Sequence, residues 1–254
     1  MSARSRPNPP LRIALFGATS AIAHAAARKW AAGGARLLLV GRDAQRLDAA
    51  AADLRVRGAA EVAVRVADLD RLDEHATLAA AARAAFGGLD IALLAYGSLA
   101  EQATLDHDVA AAMRSFHTNA TSTISLLLHL AEGFEAAGGG TLCAIGSVAG
   151  ERGRASNYVY GAAKSALSTC LQGLRQRLAP RGVRVSTIKP GFVDTPMTAR
   201  FRKGPLWASP ETVGDGIVAA IARGRRVVYL PGFWRVVMAL LRALPEAVFV
   251  RLRI

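Results

Sequence analysis

Only two cysteines occur in the 254 residues, Cys143 and Cys170, and they form no CxxC pair. That excludes a disulfide framework or a cysteine zinc site and predicts two buried thiols. The five histidines, His24, His75, His107, His117 and His129, include no i,i+4 pair, so no metal site is expected. No Gly-x-Ser-x-Gly elbow occurs, which leaves a serine hydrolase without its nucleophile turn. The opening MSARSRPNPP lacks the apolar core of a secretory signal, so residues 1–10 read as a flexible N-terminus and the chain as cytoplasmic. No internal repeat, linker or low-complexity segment divides the chain from residue 11 onward.

Acidic residues are also few, 19 against 32 lysines and arginines, for a net charge of +13. The basic residues are nearly all arginine and are scattered through every segment, so they form no stripe for a phosphate backbone and no nucleic-acid partner is expected. A basic face towards an anionic membrane or a phosphorylated substrate remains compatible with this charge. With 52% hydrophobic residues the chain has material for one large buried core.

Short apolar runs at 13–16, 37–40, 62–66, 91–95, 141–145, 183–188 and 227–230 read as strands. Helical patterns lie between them, at about 21–33, 44–57, 71–86, 106–137 and 157–178, with a capped start at Ser209-Pro210-Glu211 leading to about 223. Strands alternating with helices predict a single doubly wound Rossmann domain, α/β with a parallel sheet, over residues 11–232. Ligands in such sheets bind at the carboxyl ends of the strands.

Three local features suggest the chemistry. The turn after the first strand presents small residues at a helix N-terminus, where backbone N–H groups can meet a pyrophosphate, but alanines occupy the second and third glycine positions beside Gly17, at Ala21 and Ala23. The second strand ends in Gly41-Arg42, and a cation there suits a 2′-phosphate, so NADP(H) is preferred over NAD(H); Asp43, one residue later, is the competing ribose ligand. Tyr160 and Lys164 are i and i+4 on a predicted helix, so the ammonium is expected near the phenol, lowering its pKa towards operating pH for general-acid work. Ser147, just past a strand end, is placed to hold a carbonyl oxygen. Tyr158 has Ala162 four residues on and therefore no such partner.

These residues resemble the short-chain dehydrogenase/reductase family. The similarity runs over about 11–230, through GATSAIA at 17–23, VADL at 66–69, AYG at 95–97, Asn119, IGSVAG at 145–150, YGAAK at 160–164 and KPGFVDTPM at 189–197. The resemblance implies Tyr160 as proton donor, Lys164 lowering its pKa and binding the nicotinamide ribose, Ser147 orienting substrate and Asn119 supporting a relay water. It also implies cofactor contacts from Gly17, Thr19, Ser20, Ala21, Ile22, Asp68, Leu69, Gly97, Pro190, Gly191, Val193 and Thr195. Departures from the family pattern are Ala21 and Ala23 for glycines, Ala95-Tyr96 for Asn-Ala, and Lys189 for an asparagine. The family commonly pairs through the helices carrying Asn119 and Tyr160, implying a homodimer or homotetramer.

Residues 233–254 form an apolar, basic tail. The uncharged run between Arg235 and Arg242 falls far short of the roughly 20 residues of a membrane span. A basic amphipathic helix fits a membrane interface, and equally a cover over the pocket or a contact with another subunit. The segment 150–167 and this ending resemble the decaprenylphosphoryl-2-keto-β-D-erythro-pentose reductase branch, implying the 2-keto group of a prenylphosphoryl pentose as substrate. The alternatives are a generic soluble carbonyl or 3-oxoacyl reductase, and a non-catalytic nucleotide-binding scaffold.

Overall fold

The computed structural model describes residues 9–252, so most of the expected flexible N-terminus, residues 1–8, and the last tail residues, 253–254, lie outside it. β1 (Arg12–Phe16) leads into α1 (Ala21–Ala32), β2 (Arg36–Gly41) into α2 (Ala44–Val56), and β3 (Glu61–Val66) into α3 (His75–Ala84). β4 (Ile91–Leu94) is followed by α4 (Gln102–Leu105), α5 (Val109–Phe116) and α6 (Ser122–Ala137). Then come β5 (Gly140–Ile145), α7 (Tyr158–Leu178), β6 (Val183–Pro190) and a small pair, β7 (Phe192–Val193) with β8 (Trp207–Ala208). α8 (Pro210–Ala222), β9 (Val227–Leu230), α9 (Trp234–Ala243) and α10 (Glu246–Phe249) complete the chain.

The seven main strands are parallel, in the order β3-β2-β1-β4-β5-β6-β9. The strand order therefore reverses at β1, which pairs with β2 on one side and β4 on the other. Alternation of side chains sends Ile13 and Leu15 to one face, against Trp30, Leu47, Leu54 and Ile217. Ala14 and Phe16 face the other layer, with Leu78, Leu126, Leu127, Leu130 and Leu171. Burial on both faces is why these strands read as unbroken apolar runs rather than alternating ones.

Helix starts follow the local chemistry. Ser209 accepts from Thr212 N and Pro210 occupies the first turn, so α8 begins where the sequence places it. The expected long helix at 106–137 is divided. Asp108 caps α5 by accepting from Ala111 N at 2.8 Å, and a π-helical turn, His117–Thr121, separates α5 from α6. The expected helix at 71–86 narrows to α3 behind a 3-10 turn, Leu72–Glu74.

The helical layers carry much of the stability. Leu127, fully buried on α6, packs beneath the sheet. Leu127→Ala is expected to cost about 3 kcal/mol, as cavity-forming Leu→Ala changes do, read as a lower denaturation midpoint with an unchanged far-UV spectrum.

Candidate active site

A cavity of about 630 Å³ opens where the strand order reverses, at the carboxyl ends of β1, β2, β4, β5 and β6. It is lined by Asn119, Ser147, Tyr160 and Lys164 and by every residue to which the sequence assigns cofactor contact, from Gly17 to Thr195. Residues more than 170 positions apart in the chain thus form one wall system.

At the β1 end the backbone turns sharply, Gly17 N and Ala18 N both donating to Val40 O at 2.9 and 3.0 Å. Gly17 has φ +82, and a Cβ there would fall 2.7 Å from Tyr96 Cβ, so the position takes no side chain. Ala21 and Ala23 lie in the first turn of α1, where negative φ lets alanine replace glycine. The Ser20 side chain makes no cap bond to that turn. Asp43 is not aimed at a ribose: its Oδ1 accepts from Arg46 N at 3.1 Å and caps α2. Arg42 is exposed at the cavity edge, and Arg46 joins it there while donating to Thr19 O at 3.2 Å. Sequence reasoning passed over Arg46, although its place in the first turn after Arg42 was visible.

At the β5 end, Ser147 lies in extended backbone and caps the 3-10 turn Val148–Glu151, its Oγ accepting from Ala149 N at 3.1 Å. Tyr160 stands in the first turn of α7 and Lys164 one turn on, where Nζ donates to Ile145 O at 3.0 Å and lies 5.7 Å from the Tyr160 ring centroid. Asn119 sits in the π turn, fully buried. Its Nδ2 donates to Ser98 O at 2.8 Å and Ser115 O at 2.9 Å, and its Oδ1 accepts from Ser98 N at 3.2 Å. The amide therefore ties the loop after β4, through Ser98, to the end of α5, through Ser115. A Cβ on Gly97 would fall 2.6 Å from Asn119 Oδ1, which keeps this wall open at the cavity.

Burial decides the charge states. It pushes the Tyr160 phenol up to about 12, with hydrogen bonding from Ser147 pulling the other way, and it pushes Lys164 down to about 8. The expected lowering of the phenol by the ammonium is not what this geometry gives: desolvation is the leading influence and Nζ is committed to the Ile145 carbonyl. The phenol, like an ordinary one, carries its proton at neutral pH.

Other groups were not legible as site residues. Lys189 Nζ meets Glu151 Oε1 at 2.7 Å, Tyr229 donates to the same oxygen at 2.5 Å, and Arg242 Nε approaches Oε2 to 3.4 Å. Arg152 donates to Leu241 O at 2.6 Å, to Leu244 O at 2.7 Å and to Glu246 at 2.9 Å. The tail is thereby fastened to the loop that follows Ser147. Trp234 packs on the Gly191 turn, where a Cβ would fall 1.9 Å from Nε1. Among the described residues no helix is long and apolar enough to cross a membrane.

Residues 12–205 match the family model for short chain dehydrogenases. An oxidoreductase of Mycobacterium tuberculosis strain H37Rv, described only as uncharacterized, is 40% identical over 240 residues, 94% of this chain and 96% of its own. Another, from Streptomyces coelicolor, is 36% identical over 246 residues, 96% of each chain. The solved structure of a short-chain dehydrogenase from Sphingobium yanoikuyae in complex with NADPH superposes with a TM-score of 0.78 at 26% identity, covering 93% of this chain and 98% of that one.

Burial of Lys164 yields a stability test. Its folded pKa lies below the unfolded value, so the ammonium penalises folding fully below pH 8, and the penalty fades as pH rises from about 8 towards 10.5. Lys164→Met is expected to be more stable than the parent at pH 7, by on the order of 1–3 kcal/mol. The difference should shrink by pH 10 in denaturant titrations; a variant less stable than the parent at pH 7 refutes this.

Proposed function

The chain belongs to the short chain dehydrogenase family, and within it we propose that it reduces a ketone to a secondary alcohol using NADPH, with Tyr160 as the proton donor. Family membership makes it an oxidoreductase acting on CH–OH groups or ketones. The observation that carries the residue is the half-buried phenol of Tyr160 beside Ser147 and Lys164 inside the cavity. The cradle suits a dinucleotide: at Gly17 and Gly97 the strand-end turns pack so closely on Tyr96 and Asn119 that only glycine fits, and Arg42 and Arg46 offer two cations at the β2 end for a 2′-phosphate. The NADPH complex of the Sphingobium relative supports the same choice.

When bound, the nicotinamide supplies hydride to the carbonyl carbon. The Ser147 hydroxyl orients the carbonyl oxygen, and Tyr160 gives that oxygen its proton, so that one C–H and one O–H bond form. Lys164, next to Tyr160 and lining the cavity, holds the ribose and supports reprotonation of the phenol. Asn119 keeps the loop of Gly97 and Ser98 in place beneath them. A scaffold without turnover has no use for this buried, destabilising set.

For the substrate, a lipid-linked ketone such as a prenylphosphoryl 2-keto pentose is favoured over a generic soluble carbonyl or 3-oxoacyl compound by one feature of the tail. α9 leaves Val236 and Leu240 exposed, at 63% and 66%, with Phe233 just before it and Arg235 and Arg242 also exposed. Such a face suits peripheral contact with an anionic membrane. Exposed Val109, Met113 and Leu128 on α5 and α6 support pairing into a homodimer or homotetramer.

Tyr160→Phe is expected to lower ketone reduction about 10³-fold while NADPH still binds; equal activity in the variant refutes the proton-donor role. The parent should favour NADPH over NADH, and Arg42→Ala with Arg46→Ala should erase that preference in kcat/KM. In sedimentation with vesicles of anionic phospholipid, Val236→Asp with Leu240→Asp should abolish co-sedimentation seen for the parent. Failure of the parent to sediment favours the soluble carbonyl reductase.

A further inference from the structure

Arg154 has no part in the transfer of hydride or proton, yet it lines the same cavity as Ser147 and Tyr160. It is half-buried, and among the described residues its guanidinium has no hydrogen bond or ion pair. Desolvation alone pulls its pKa below the ordinary arginine value. A partly desolvated guanidinium that opens onto a cavity and has no protein partner is a ready site for an anion. Arg152, two residues earlier, is the contrast: it commits its donors to Leu241 O, Leu244 O and Glu246 and fastens the tail.

The position of Arg154 separates it from the cofactor phosphates. Arg42 follows β2, whereas the loop carrying Arg154 joins β5 to α7, and β2 and β5 are three places apart in the sheet, about 14 Å at the usual strand spacing. A second unpaired group shares this wall. Asn157 lines the cavity, makes no side-chain cap to α7, and has its Oδ1 buried without a donor. The first turn of the 21-residue α7 holds no acidic residue of its own; Gln102 Oε1 accepts from Val159 N there and Asp106 Oδ1 from Tyr158 OH, and neither is bonded to Arg154.

We propose that Arg154 recognises an oxyanion on the substrate, so that the preferred ketone carries a phosphate or carboxylate group held on the β5–α7 wall. A planar guanidinium with free donors engages either anion in the same bidentate way. The unpaired oxygen of Asn157 accepts from a hydroxyl of the same ligand. The proposal rests on the ketone-reductase reading for its catalytic test, and a binding test keeps the two separable.

With NADPH, two matched pairs serve as probes: hydroxyacetone phosphate against hydroxyacetone, and levulinate against methyl levulinate. In the parent, kcat/KM is expected to be at least tenfold higher for the charged member of one pair, and the pair that shows it tells phosphate from carboxylate. Arg154→Met should remove that advantage through KM and leave the neutral ketones within twofold, while Arg154→Lys should keep part of it. Calorimetric titration of hydroxyacetone phosphate and of levulinate into Tyr160→Phe protein, with and without NADP⁺, reads the subsite without turnover. There, Arg154→Met should weaken one of the two at least tenfold. Charged and neutral probes equal within twofold in the parent, or titrations unmoved by Arg154→Met, overturn the proposal. A Tyr160→Phe protein that still reduces ketones overturns the reductase reading instead and leaves the titration to decide Arg154.

Discussion

The reversal of strand order at β1 is the constraint on which the rest depends. Because β2 and β4 flank β1 on opposite sides, the segments leaving β1 and β4 diverge, and a crevice opens at their carboxyl ends. Its walls approach each other closely at Gly17, where the backbone of Tyr96 leaves no room for a side chain. Tyr96 lines the crevice and donates to Ser122, which itself donates to Leu69 O, tying the ends of β3 and β4 to α6. The aromatic residue that departs from the family pattern is thus a brace for the crevice, buried enough that its phenol is pushed up to about 12.

Within that crevice the molecule sustains an unfavourable burial. Lys164 is 3% exposed with one carbonyl as its hydrogen-bond partner, and beside it desolvation raises the Tyr160 phenol above its ordinary value. A fold selected for stability alone would place an apolar side chain at position 164. Packing offsets this burial: the two apolar layers on either face of the sheet fix β5 and α7, and with them the places of Ser147, Tyr160 and Lys164. The same packing sets the neutral phenol of Tyr160 beside Ser147 at the cavity, a geometry that suits reduction of a carbonyl.

The strands, the capped start of α8 and the common face of Tyr160 and Lys164 were legible because each depends on neighbours within about one helical turn or on a two-residue alternation. What was not legible depends on distance in the chain. Glu151 and Lys189 are 38 residues apart, and nothing in the spacing announces their ion pair. Asn119 was found by resemblance, but the π turn that drives its amide against Ser98 and Ser115 has no local signature in an otherwise helical stretch. Asp43 illustrates a competition that sequence alone leaves open, since a carboxylate after a strand serves equally as ribose ligand and helix cap. Here the backbone N–H of Arg46 takes it, which leaves the cations facing the cavity. The phenol pKa went opposite to expectation for a related reason: the i,i+4 spacing fixes proximity, while burial fixes which charge state wins.

The tail gives this competition its last consequence. Glu151 lies four residues beyond Ser147 and receives Lys189, Tyr229 and the approach of Arg242, so the loop after β5 is braced by β6, β9 and α9 together. Arg152 extends the brace to the end of α9 and stacks on Phe249 at 3.8 Å. Arg154 lies two residues beyond Arg152 and lines the cavity, so the loop that presents it starts from a base braced in common with α9.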